Sequence, residues 1–317
     1  MPTQESFTFF QKEARPVTPG TLSALIQLQR QELLTGLMAI AYPGEEQALL
    51  LFNLGAPFSL YYLADGIWRK IPSTHWNDIF SLSDGEAVIL PLSGNSLRLL
   101  LLALESSTQP REELSLRPAA LVTYIETLKR QDGVSLLRVR DDDFQGIAVF
   151  PGLKLPVQDV VLFSENGTQV DAAGLARLTS TGDRLIRVSK TDFDELPAML
   201  QEYALRVVFL SLVQAALKRF DEMAGDTLTD SLGLELNQYA SHQGWQIQFF
   251  GKHISHRQFF MELGEATTVY RSLYKLMRHF LQRVVGAPLA SSVTSEGVGH
   301  LPSSYREIFE RQNFIVG

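Results

Sequence analysis

The chain has 317 residues, 45% of them hydrophobic, so it can bury sizeable cores; its length points to two or three domains, and intrinsic disorder is excluded. Asp and Glu outnumber Lys and Arg by 35 to 28, a formal charge of -7, so the average field repels nucleic-acid phosphates and no nucleic-acid partner is expected. The absence of cysteine rules out disulfides, thiolate metal sites and a cysteine nucleophile.

The start, MPTQESFTFF, has neither the basic nor the apolar region of a secretory signal, so a cytoplasmic location is expected. No uncharged run approaches the roughly 20 apolar residues of a membrane-spanning helix, and no membrane partner is expected. Thr18-Pro19 offers a cap with proline at the first helical position, and Leu22, Leu25, Ile26 and Leu33 recur behind it, which predicts a helix over 19–34. Thr35-Gly36 ends it. Strands are predicted over 37–42, 47–53 and 58–64, with a turn at Pro43-Gly44 and the hairpin dipeptide Asp65-Gly66 closing the third. Beyond it, Trp68 and Trp76 flank a polar loop. The apolar runs 87–92 and 97–104 read as a strand hairpin around Ser93-Gly94-Asn95 that completes the first sheet, and the polar stretch ESSTQPRE at 105–112 reads as a linker.

The same order of signals then returns. Ser115 is the expected cap and Pro118 lies near the first turn, with Leu121, Val122, Ile125 and Leu128 as the apolar stripe. Arg130-Gln131 echoes Arg30-Gln31, Gly133 echoes Gly36, a strand over 135–139 echoes 38–42, Phe150 echoes Phe52, and Asn166-Gly167 echoes Asp65-Gly66, all of which points to an internal duplication.

From Asp194 the period turns helical. Pro197 lies in a first turn, and 207–213 is apolar almost all round, as in a buried central helix. Further helices are predicted over 227–242, briefly over 256–263, and over 266–285, where Gly286 ends the run. On the last of these, Leu273, Leu276, Met277, Phe280 and Val284 share one face, and Arg271, Lys275, Arg278 and Gln282 the other. Residues 291–302 read as a linker, and Ser304 with Glu307 offers a capping box for a short final helix bearing Ile308 and Phe309, followed by Phe314, Ile315 and Val316.

Gly20-Thr21-Leu22, Leu25, Leu28, Thr35-Gly36-Leu37, Leu51-Phe52 and Asp65-Gly66 together resemble the PatA N-terminal (PATAN) family of bacterial regulatory domains over residues 18–80. A small residue usually follows the hairpin in that family, whereas Trp68 stands nearby here. The resemblance implies an adaptor or signalling module with no catalytic residues. A weaker echo of the same pattern runs through the second unit.

Motifs that could carry chemistry meet local objections. His253, His256 and Glu262 could approach one metal only from a shared helix face, yet Ile254-Ser255 gives no helical phase and Arg257 adds a cation, so a solvent-facing helix start is the favoured reading. Asp141-Asp142-Asp143-Phe144-Gln145-Gly146 imitates a calcium loop, but its twelfth position is Gly152 and predicted strands flank it, which favours a hairpin turn. Gly297-Val298-Gly299 lacks the third glycine and the preceding strand of a dinucleotide site. Asn166-Gly167-Thr168 is read as a turn and not as a glycosylation acceptor. Scattered Ser, His and Asp residues could still form a triad in space.

Candidate partner-binding residues are the basic Arg271, Lys275 and Arg278, the aromatic Trp68 and Trp76, and Phe309 and Phe314 in the tail. Each has a plainer role open to it: solvation of an outer helix, cover for a sheet end, or a tail folded onto its own core. The expectation is an α+β protein with two related units of helix plus antiparallel meander, 1–110 and 111–192, an α-helical domain over 193–290, and a linker with a short helix over 291–317. The expected function is a non-enzymatic regulatory, adaptor or scaffold protein acting on a protein partner, with no cofactor and no metal, and with self-association through the tail as one option. A small-molecule sensor with its pocket between sheet and the α-helical segment, or an unrecognised hydrolase, are the alternatives.

Overall fold

The computed structural model describes residues 14–44, 46–106, 111–131, 133–150, 159–164, 167–179, 184–193, 198–299, 301 and 303–312. The chain is α+β, with two six-stranded antiparallel sheets followed by a helical region. In the first sheet region, β1 (Arg15–Val17) leads into α1 (Pro19–Gln31), then β2 (Gly36–Ala41), β3 (Gln47–Asn53), β4 (Ala56–Ala64), β5 (Ile67–Ile71), a 3-10 turn (Ser73–His75), α2 (Trp76–Phe80) and β6 (Gly85–Pro91). The strand order is β1-β6-β2-β3-β4-β5.

Local signals account for most of this. Thr18 and Thr21 close a capping box in front of Pro19, so α1 starts where proline and cap agree. Asp65 and Gly66 both have positive φ, the geometry of the tight hairpin turn between β4 and β5. Leu22 and Ile26 of α1 bury against Met38, Ile40, Leu50, Phe52 and Leu60 on one face of the sheet. Trp68 is 4% exposed and pairs with Leu63 on β4, so it is a core residue and offers no surface to a partner. The stretch between Trp68 and Trp76 is not a loop throughout, since it continues β5 to Ile71 and then forms the 3-10 turn, and Trp76, Ile79 and Phe80 of α2 pack on the core at helical spacing.

The clearest departure from expectation is 97–104. These residues form α3 (Gly94–Glu105) and not a strand paired with 87–92, while β6 runs back between β1 and β2. Ser93 caps the helix by accepting the Ser96 N–H, and Leu97, Leu99, Leu100, Leu101 and Leu102 are all buried. A helix buried on every side shows no amphipathic stripe, so its apolar run has no period to distinguish it from a strand.

The second sheet region contains β7 (Glu112–Leu116), α4 (Pro118–Leu128), β8 (Val134–Arg140), β9 (Phe144–Phe150), β10 (Asp159–Ser164), β11 (Gly167–Val170), α5 (Asp171–Thr179) and β12 (Ile186–Phe193). Its strand order is β7-β12-β8-β9-β10-β11, which repeats the first sheet strand for strand. Ser115 lies in β7 opposite Arg187 and does not cap α4; Arg117 occupies the cap without a side-chain bond, and Pro118 alone marks the start. The Asp141–Asp143 turn joins β8 to β9 as a hairpin, and Gly167 opens β11 after the β10 hairpin; Asn166 and Gly152 lie outside the described residues.

Both sheets belong to one compact unit, in which α3 packs on β2 of the first and on β9 and β10 of the second. Arg138 of β8 donates to the Ala103 carbonyl and to Ser106 Oγ, at 2.8 and 2.7 Å, and so satisfies orphan acceptors at the end of α3.

The remaining chain forms a second unit: α6 (Ala198–Ala224), α7 (Asp226–His242), the hairpin β13 (Ile247–Phe250) and β14 (His253–His256), α8 (Leu263–Val285), α9 (Ala287–Gly299) and α10 (Ser303–Arg311). Val207, Val208, Phe209 and Val213 are buried in α6, the central helix that α7, α8, α9 and α10 contact. Residues 256–263 do not form a helix, since 253–256 pair with β13. Nor is 291–302 a linker: α9 buries Ala290 and Val293 against α6 and α8, and Thr294 returns its hydroxyl to the Ala290 carbonyl. The final helix begins at Ser303, so Ser304 lies inside it and is not its cap. On α8, Leu273, Met277 and Phe280 are buried as expected, whereas Val284 is exposed.

Candidate functional site: a cleft beside the first helix

A cleft of about 310 Å3 opens between α1 and α2 over the first sheet. One wall is the stripe Pro19, Ser23, Ile26, Gln27 and Arg30 on α1, spaced so that all face one side of the helix. The opposite wall comes from Ser73, Trp76, Asn77, Phe80 and Ser81, and the floor from Leu50 on β3 and Pro57 on β4. Apolar groups therefore line the depth, and amide, hydroxyl and guanidinium groups the rim. Polar groups are more prominent on its walls than in most small-molecule sites, and 310 Å3 lies at the small end of such cavities.

The walls are held by named bonds. Tyr42 donates its hydroxyl to the Ile79 carbonyl at 2.9 Å, and Trp76 Nε1 donates to the Ile71 carbonyl at 2.9 Å, so α2 is tied to the sheet at two points. Burial pushes the Tyr42 hydroxyl up to about 12. The Arg30 end is set by Gly55, whose N–H donates to the Leu34 carbonyl at 2.8 Å. A Cβ on Gly55 would fall 2.5 Å from the Arg30 carbonyl, and its φ of +80° also calls for glycine.

The repeated unit shows what this arrangement looks like when closed. In it the nine-residue α5 packs directly against α4, with Leu178 buried and Leu175 beside Leu121, Ile125 and Tyr124. The five-residue α2 makes no comparable contact with α1, and the gap is the cleft. Pro19 and Pro118 open the two helices, and Leu22 and Ile26 take the buried places of Leu121 and Ile125. By the same count Arg30 corresponds to Lys129 and Gln27 to Glu126, so the match of Arg30-Gln31 with Arg130-Gln131 read from the sequence is out of register by one residue.

The remaining candidate residues scatter. Arg271 is half-buried and donates to the Gln312 carbonyl, so it is engaged with the residue that follows α10. Arg278 is half-buried as well, which leaves Lys275 as the exposed member of the three. The helix α10 contacts α6 within its own unit; the Phe309 side chain, Phe314 and the rest of 313–317 lie outside the described residues. His253 and His256 point to opposite sides of β14, as residues three apart on a strand must. His256 is buried, with its Nε2 2.8 Å from the Tyr270 hydroxyl, while Glu262 precedes α8 as an exposed N-cap, so the three do not converge. Neither the metal reading nor the solvent-facing one describes His256. Among the described residues no group of three or more His, Asp or Glu side chains could hold a metal ion, and no helix is long and apolar enough to cross a membrane.

Trp76 is the only candidate that belongs to the cleft. The rest of the site was missed because a five-residue helix leaves a faint trace, although Trp76, Ile79 and Phe80 at spacings of three and four carried a signal. No model of a known protein family matches the chain, and none of the curated proteins is similar to it.

Proposed function

We propose that this is a non-enzymatic, cytoplasmic regulatory protein whose first sheet region senses a small ligand in the cleft between α1 and α2, the second region being its closed structural counterpart. The observation that carries the reading is the contrast between two sheets of identical strand order, one keeping an open, polar-rimmed cleft and the other filling the equivalent place with Leu175 and Leu178. The resemblance of residues 18–80 to bacterial PATAN domains agrees with a regulatory role. An adaptor role through exposed anchors has less support, because Trp68 is buried and Arg271 is engaged within its own unit. A hydrolase reading has less again, since His256 faces Tyr270 and aromatic rings, and Asp159 accepts from Asn95 at 2.9 Å.

Thermal denaturation of the purified protein against a metabolite panel tests this, because a ligand bound only by the folded state raises the midpoint by an amount that grows with the logarithm of its concentration above Kd. One chemical class is expected to raise it, and Asn77→Trp, which fills the cleft from an exposed rim position, is expected to remove that response. A response unchanged in Asn77→Trp, or turnover of the stabilising compound, would refute the reading.

A further inference from the structure

We infer that the ligand of this cleft is a small organic acid: a carboxylate recognised by Arg30, attached to an apolar body seated over Leu50 between Ile26 and Phe80. This rests on the sensing role proposed above and adds the ligand's chemistry. Among the described residues Arg30 is the only charged one that lines the cleft. Among the described residues no hydrogen bond or ion pair engages its guanidinium, and the group lies exposed at the rim.

The repeated unit supplies the independent observation. There Lys129, at the position matching Arg30, is paired with Glu126 at 2.6 Å, and that contact holds the Glu126 carboxyl below its usual range, the hydrogen bond contributing first and the charge second. The residue at the matching place in the first unit is Gln27, which is neutral and leaves the cation of Arg30 unanswered. The second sheet region thus supplies its cation with a carboxylate from its own helix, and its α5 packs against that helix. The first sheet region lacks the carboxylate at the Glu126 position and keeps the cleft, so the complement missing from it is an anion with an apolar part. A guanidinium suits this role because its planar fork can give two parallel hydrogen bonds to one carboxylate. The apolar depth and the single cation together disfavour polyanions such as nucleotides, whose several charges would find one partner.

Calorimetric titration with matched acids and amides tests the assignment, using 1-naphthylacetate against 1-naphthylacetamide and octanoate against octanamide. At least one acid is expected to bind, and at least about tenfold more tightly than its amide, the usual worth of a charge-assisted pair. Arg30→Gln should abolish that preference while the melting temperature holds, and Arg117→Gln, which removes an exposed arginine outside the cleft, should preserve it. Acids and amides that bind alike and are both blocked by Asn77→Trp would overturn the carboxylate assignment and leave the sensing role standing. Undiminished acid binding in Arg30→Gln, or no binding of any probe to the unaltered protein, would overturn the assignment outright.

Discussion

Tyr42 links the stability of the fold to the wall of the cleft. Its side chain is almost fully buried and its hydroxyl holds the Ile79 carbonyl, so the neutral phenol is the form that the folded state favours. A tyrosine in the unfolded chain ionises near pH 10, while burial puts the folded value at about 12. The stability that Tyr42 contributes is therefore complete below pH 10 and is lost as the pH rises toward 12. Tyr42→Phe should cost roughly 1 kcal/mol at neutral pH from the lost hydrogen bond, and the gap to the unaltered protein should narrow between pH 10 and 12. Urea denaturation at a series of pH values measures this, and a gap that stays constant would contradict it. Tyr61 is raised in the same direction by burial, then by the charge of Glu105 and the hydrogen bond to it. None of these partners was readable from the chain, because Tyr42 and Ile79 meet across 37 residues and Tyr61 and Glu105 across 44.

Among the elements, α3 and α8 show why some helices could be read and others could not. On α8, nine buried residues from Ala266 to Leu281 alternate with exposed ones at helical spacing, and the pattern is visible in the chain. On α3, ten residues from Gly94 to Leu104 are buried, Arg98 among them, and its core run 97–104 carries one polar residue, Arg98, too few to mark a helical face. Only the Ser93 cap and the helix preference of leucine favoured the correct assignment, and both are weak beside eight consecutive residues that also suit a strand. Because α3 contacts both sheets, its side chains should matter more than those of the amphipathic α1. Leu97→Ala, at a fully buried position, is expected to lower stability by about 3 kcal/mol, whereas Leu28→Ala, 41% exposed on α1, should change it by no more than about 0.5 kcal/mol. Chemical denaturation of the two variants compares them directly, and equal effects would mean that α3 does not carry the core. The helix α9 was missed for a related reason: its Ser and Thr residues resemble a linker until Ala290 and Val293 find a neighbour to bury against.

For the whole molecule, the formal charge of -7 sets the expectation toward polyanions. Duplex DNA of arbitrary sequence should give no mobility shift at roughly 0.15 M salt, where surface charges more than about 8 Å apart are largely screened and the net field is repulsive. A shift that weakened with added salt would reveal a basic surface and contradict this. The exposed Arg30 is compatible with both results, since one guanidinium binds a monoanion and cannot track a phosphate backbone. The helix starts at Pro19 and Pro118, the Asp65-Gly66 hairpin, the recurrence of the whole pattern after about a hundred residues and the α+β class were all legible in the chain, because caps, turns and alternation arise between residues a few positions apart. The insertion of β6 between β1 and β2, the burial of α3, and the fact that Lys129 of one repeat is paired with Glu126 while Arg30 of the other lines an open cleft required the folded molecule. Those outcomes depend on which distant surfaces meet, and neighbouring side chains carry no record of that.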